Sequence, residues 1–350
     1  MTRATGIGSL PGTDLGAAVR LVFDETAAEG FVPYLPELPA RGPGADMIGR
    51  TLAIVGELDA DLQPAGWRLT GSSGSPGLDQ RRARSLLGQD LDVVEEESQG
   101  YAGPLKLQLA GPLTLAASVE RPRGDKLLAD HGARRELAQA LAEGVAGHVR
   151  DVRRRVPGAD RLIVQFDEPA LAAVAAGRVP TASGYGRHRS VQPPEIDELL
   201  RTVFATATAP DEDGRDGQDE RDEQRRRSEE AWLHSCAAGT PLGLARTAGA
   251  AGLAVDLAVL GAGDHDALAE LMESGGSVGL GVVPSLEPPS WPTTGRLAER
   301  VQRWLDMVGL DPDLAGDRLV ITPACGLAGA SPQWARRAVA LAAEVAAALS

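Results

Sequence analysis

Short apolar runs alternate along this chain with longer stretches in which alanine and leucine recur at helical spacing. The short runs are bounded by glycine and proline and are too brief for helices, so they read as buried strands. They fall at residues 4–9, 31–35, 105–110, 162–166, 231–235, 253–257, 277–283 and 319–323. Between them, stretches 79–99 and 132–155 and the closing Ala-rich stretch 333–349 read as helices. Pro11-Gly12-Thr13-Asp14 reads as the cap of a further helix running toward Glu29. Residues 62–69 suggest a hairpin element, followed by the Gly/Ser-rich connection 71–77. Eight strands with intervening helices most simply make one (β/α)8 barrel of TIM type over residues 1–350, although a doubly wound sheet gives a similar string. One stretch fits neither: 209–230 is almost wholly charged residues and glycine, and is expected to be a disordered surface insertion.

Composition narrows the class. The apolar share of 43% is enough for a large core, but with 3% aromatics that core must rest on Ala, Leu and Val. A net charge of −14 offers nothing to replace phosphate counterions, which argues against a nucleic-acid partner. No apolar run reaches the roughly 18 residues a membrane span requires, and the first residues lack a signal-peptide apolar core. The expected setting is the cytoplasm, with small-molecule partners and no membrane. There the two cysteines, Cys236 and Cys325, are expected as thiols or ligands rather than a disulfide.

In a barrel, reactive groups collect where the strands end at their carboxyl side. Ser9, Glu37, Asp167, His234, Cys236, Asp256 and Cys325 all stand at such ends, although they span some 300 positions. His234 and Cys236 are two apart, on the same side of an extended strand. One nitrogen, two sulfurs and one carboxylate oxygen suit tetrahedral zinc. Two buried free cysteines and a surface histidine are the plainer reading of the same residues. His131 and His148, at a helix start and within an Arg-rich helix, read as surface residues.

Taken together these motifs resemble the catalytic barrel of the cobalamin-independent methionine synthases. Ile7-Gly8-Ser9-Leu10-Pro11 is similar to that family's first-strand I-G-S-x-P, and Glu37 falls where the second strand delivers an acid. Phe166-Asp167-Glu168-Pro169-Ala170-Leu171 matches its D-E-P-A-L, and His234-Ser235-Cys236, Asp256 and Cys325-Gly326 match its H-x-C, acid and C-G ligand set. The resemblance implies zinc-dependent methyl transfer to the thiol of homocysteine, giving methionine. It implies metal ligation by His234, Cys236, Cys325 and, as the weakest ligand, Asp256. Ser9 would take the substrate carboxylate, and Glu37 and Asp167 its ammonium.

The chain departs from the pattern in three places. Its zinc acid is Asp256 where the family usually has Glu. The stretch Val283-Pro284-Ser285-Leu286-Glu287 has no proton-donating His, so no side chain is assigned that role. The third strand leads into Gly111-Pro112-Leu113-Thr114-Leu115 without the Trp expected to stack on a folate. A single barrel also leaves no room for the family's second, N-terminal one. The methyl donor is therefore expected to be methyltetrahydrofolate or a methylated corrinoid, with a corrinoid carrier protein as the partner in the second case. Two other readings stand beside this one: a non-catalytic zinc- or thiol-binding barrel, and a barrel decarboxylase of the uroporphyrinogen type, which would need a basic mouth.

Overall fold

The computed structural model describes residues 1–24, 30–71, 75–208, 229–311 and 315–350. Its central sheet has seven parallel strands: β1 (Arg3–Ala4), β4 (Gly103–Ala110), β5 (Ala159–Asp167), β6 (Glu229–Ser235), β7 (Gly252–Asp256), β8 (Ser277–Val283) and β9 (Leu319–Pro323), in the order β1-β9-β8-β7-β6-β5-β4. β2 (Ala60–Gln63) and β3 (Gly66–Leu69) form the separate hairpin that the alternation at 62–69 announced.

Residues 31–37 close the cylinder between β1 and β4 through isolated parallel bridges, Ala4 to Phe31, Ser9 to Glu37 and Tyr34 to Lys106. Val32 donates its N–H to the Ala4 carbonyl at 2.8 Å, and Leu35 to that of Lys106 at 2.9 Å. Pro33 and Pro36 have no N–H to give, so this eighth stave never becomes a regular ladder. The expected (β/α)8 architecture is thus present, with one stave irregular for a local chemical reason.

Helices α1 (Leu15–Asp24), α2 (Met47–Ile54), α3 (Leu78–Glu97), α4 (Pro112–Ser118), α5 (His131–Arg155), α6 (Leu171–Ala175), α7 (Pro193–Ala207), α8 (Leu242–Thr247), α9 (Ala262–Glu273), α10 (Thr294–Val308) and α11 (Pro332–Ala348) pack outside the strands. The main core lies between strands and helices, and Ala, Leu and Val dominate it. A second cluster, Ile7, Val32, Ile163, Trp232, Ala254 and Val320, fills the inside of the cylinder. Trp232 is its largest member, and Gly252 makes room for it: a Cβ there would stand 2.3 Å from the indole.

Two expectations change. Residues 209–228 of the charged stretch lie outside the described residues, but Glu229 and Glu230, expected within that insertion, belong to β6. Both are tied down from neighbouring elements, Glu229 by Arg153 at 2.7 Å and Glu230 by Arg161 at 3.0 Å. His148 is buried, not on the surface. It shares the stripe Leu141, Val145, His148, Val152 on the inner face of α5, where spacing outweighs the Arg-rich company. Burial pushes its imidazole down to about 4, so it is neutral at pH 7.

Candidate metal and substrate site

Alternation along the strands stacks the inside of the barrel in layers. Ile163 and Trp232 belong to the apolar plug, and two residues further along each strand the same face presents Gln165 and His234. Asp167 follows Gln165 at the rim.

His234, Cys236 and Cys325 meet there, each with one ligand atom within 4.8 Å of the others. Among the described residues this is the only such group of three. The sulfurs of Cys236 and Cys325, 89 positions apart in sequence, lie 2.7 Å from one another. The Cys325 sulfur is 4.0 Å from His234 Nε2. Both cysteines are free and half-buried, while His234 is only 3% exposed. The imidazole is oriented from behind, its Nδ1 3.0 Å from the Ala254 carbonyl. A carbonyl can only accept, so Nδ1 carries the proton and Nε2 presents a lone pair toward the sulfurs. A soft, nitrogen-plus-two-sulfur set held from behind fits zinc.

The protonation balance of the trio is uneven. Hydrogen bonding from Cys325 lowers Cys236, and the same contact raises Cys325. Burial pulls His234 down, but the Cys325 thiol and the Asp167 carboxylate outweigh it and leave the imidazole raised. Asp256 stands outside the trio. Its Oδ1 accepts the Ala258 N–H at 2.8 Å and caps the short 3₁₀ turn Leu257–Val259.

Ser9 lies against the loop that carries Cys325. Its carbonyl accepts the Leu327 N–H at 2.8 Å, and a Cβ on Gly326 would come within 2.1 Å of its hydroxyl. Glycine there leaves the Ser9 hydroxyl its place.

Glu37 and Asp167, both buried, form the acidic side of the mouth. Glu37 Oε1 accepts from Gln108 Nε2 at 3.2 Å and lies 3.9 Å from Arg50. Burial raises the Glu37 carboxyl to about 7, against the pull of Arg50. Asp167 Oδ1 accepts from Gln165 Nε2 at 2.7 Å, and burial raises it too. Glu168, fully buried, faces away from the mouth. It accepts from the backbone N–H groups of Leu113 and Thr114, each at 2.8 Å, and from the Thr114 hydroxyl at 2.7 Å. It thereby caps α4 from the neighbouring strand.

Arg50, Lys106, Gln108 and Gln165 were not singled out from the sequence. A usable signal existed: Lys106 and Gln108 in Leu-Lys-Leu-Gln-Leu, and Gln165 with Asp167, put polar groups at every second position of otherwise apolar strands. The loop after β8 lacks histidine as read. Its Glu287 instead takes the Trp291 indole N–H at 3.2 Å and the Ser331 hydroxyl at 2.6 Å.

Residues 226–348 match the family model described as the cobalamin-independent synthase catalytic domain, a span that includes His234, Cys236, Asp256 and Cys325. Among solved structures, a B12-independent methionine synthase from Shewanella sp. W3-18-1, in complex with selenomethionine, aligns over 99% of this chain and 97% of its own. The identity is 14% and the TM-score 0.62, which establishes a shared fold. A D-psicose 3-epimerase from Clostridium cellulolyticum H10 aligns at 10% identity over 99% of this chain and 96% of its own, with a TM-score of 0.41 that carries no argument. No curated protein matches the chain. Neither the family match nor the structural likeness points to a corrinoid carrier. Among the described residues no helix is long and apolar enough to cross a membrane. Residues 226–348 are thus similar to the catalytic domain of the cobalamin-independent synthases, and the chain shares the fold of a B12-independent methionine synthase along almost its whole length.

Proposed function

We propose that this protein is a zinc-dependent methyltransferase that moves a methyl group onto the thiol of homocysteine, giving methionine. The observation that carries the proposal is the meeting of His234, Cys236 and Cys325 at the rim of the barrel. These three would hold the metal, with Asp256 as a fourth, weaker ligand that swings from its turn-capping position and gives way to an incoming thiol. Bound zinc supplies one thing, a thiol kept as thiolate near pH 7, where a free alkyl thiol is mostly protonated.

The remaining work falls to the chain's own side chains. The Ala254 carbonyl keeps the His234 proton on Nδ1 and so keeps Nε2 pointed at the sulfurs. Ser9, fixed beside the Cys325 loop, takes the substrate carboxylate. Glu37 and Asp167 take its ammonium, so the amino acid is gripped at both ends and its sulfur is aimed at the trio. The S–CH3 bond forms as the donor's bond to the methyl group breaks, and the thiol proton leaves to solvent. With no histidine in the loop after β8, protonation of the leaving group is assigned to water.

Purified, unchelated protein is expected to hold one zinc per chain by elemental analysis. With homocysteine, it should form methionine from methyltetrahydrofolate or from methylcobalamin. Absence of zinc, or of methionine with both donors, overturns the reading.

A further inference from the structure

Of the 35 basic side chains in this protein only two are lysines, Lys106 and Lys126; every other one is arginine. Lys106 is completely buried at the middle of β4, inside the barrel, beneath the acidic side of the mouth. Its Nζ donates to the Ile7 carbonyl at 2.8 Å, approaches Gln108 Oε1 at 3.5 Å and lies 5.3 Å from the centre of the Tyr34 ring. An ammonium this deep is costly unless something requires it.

The hydrogen bonds around it have a direction. Lysine only donates, so the Gln108 amide turns its oxygen toward Lys106 and its NH2 away. That NH2 reaches the Leu35 carbonyl at 2.6 Å and Glu37 Oε1 at 3.2 Å. On the next strand Gln165, paired in register with Gln108, donates to the same Ile7 carbonyl at 3.0 Å and to Asp167 Oδ1 at 2.7 Å. Two glutamines side by side thus hold one acid each, and Lys106 and the carbonyl it shares anchor both. With Lys106 removed, the Gln108 oxygen loses its donor, and no cation lies directly below the two carboxylates to offset their repulsion. Arg50 offsets Glu37 from the side, its Nε 3.9 Å from Oε1 and its Nη1 engaged by Asp90 at 2.5 Å, whereas Lys106 faces both carboxylates.

We propose that Lys106 is a positioning residue that holds Glu37 and Asp167 as a paired receptor for an ammonium group, and so restricts the site to ligands of the α-amino-acid class. The inference rests on the proposed function and deepens it: the floor of the barrel, rather than the metal, selects the substrate's amino end.

The test compares binding of L-methionine with that of 4-(methylsulfanyl)butanoate, the same molecule without its amino group, by calorimetry on the full chain. The unsubstituted protein is expected to prefer methionine by about 10- to 100-fold, the range of a hydrogen-bonded ionic contact. In Lys106→Met that preference should collapse toward unity, with zinc content unchanged. Lys106→Gln, which can still donate to the Ile7 carbonyl, guards against a variant that fails to fold and should lose the preference too. The unsubstituted protein gives an independent reading. With [15N]lysine labelling it has two side-chain ammonium signals, and the buried one should shift with methionine but not with the desamino compound. Folded variants that keep the full preference, or a buried signal indifferent to methionine, overturn the role of Lys106 alone. No preference in the unsubstituted protein means that Glu37 and Asp167 are not an ammonium grip, and the substrate reading fails together with this one.

Discussion

Replacing Glu168 with alanine removes three hydrogen bonds at once from a fully buried place. The lost acceptor served the N–H groups of Leu113 and Thr114 and the Thr114 hydroxyl, all buried. A buried donor left without a partner costs about 1–3 kcal/mol, so the two N–H groups sum to roughly 2–6 kcal/mol once the hydroxyl turns elsewhere. That is a large part of the roughly 5–15 kcal/mol that holds a domain folded. Glu168→Gln keeps the shape and the acceptor for the Leu113 N–H, and its NH2 can donate to the Thr114 hydroxyl, leaving only the Thr114 N–H without an acceptor. It should cost only about 1–2 kcal/mol. Urea denaturation followed by circular dichroism at pH 7 measures both. The reasoning is refuted if Glu168→Ala costs under about 1 kcal/mol, or if glutamine is as damaging as alanine. The functional corollary is direct, because Thr114 Oγ1 also accepts the Ala170 N–H at 3.2 Å and ties the Asp167 loop to α4. Glu168→Ala should therefore weaken methionine binding as well as stability.

Other outcomes follow from the same geometry. Cys236→Ala and Cys325→Ala should each lose bound zinc by elemental analysis, and either variant retaining one zinc per chain contradicts the ligand assignment. Gly326→Ala forces the Ser9 hydroxyl from its place and should weaken methionine binding about fivefold, the worth of one modest hydrogen bond, with little change in melting temperature; unchanged affinity would remove Ser9 from the site. Glu37 is raised to about 7 in the fold, so between pH 4.5 and 7 the native chain keeps a proton that the unfolded chain releases. Glu168 is raised to about 7 as well, so stability should fall across that window with about 3 kcal/mol of the fall due to Glu37, and Glu37→Gln should remove that share of the slope; an identical slope in the variant refutes the assignment.

The elements were readable because their signals are local. The run 277–283 and the strand β8 coincide residue for residue, since a strand buried on both faces is a continuous apolar run. The stave at 31–37 was legible as apolar, but the prolines that break its ladder act only against a neighbour whose register the sequence does not state. His234 and Cys236 declared themselves through their spacing. Cys325 did so through its place at a strand end and through the resemblance, because nothing local says that a residue 89 positions away shares its sulfur's surroundings. Asp256 shows the reverse: its motif position is right, yet its carboxylate is engaged by the turn that follows it. Lys106, Gln108 and Gln165 stayed hidden because polar residues inside a strand have no consequence until three strands are brought together.

A cylinder made of seven strands joined by six ladders and closed by one broken stave has a seam. Along residues 31–37 the backbone is stitched at intervals rather than continuously, and two of its positions have no amide hydrogen to contribute. Transient opening concentrates where the stitches are fewest, so hydrogen exchange should reach Val32 and Leu35 before the amides of β4 or β5. Glu37 stands at the end of that seam, which puts half of the proposed ammonium grip on the most yielding edge of the wall, while the proposed metal ligands stand on or just beyond the continuously paired strands β6 and β9.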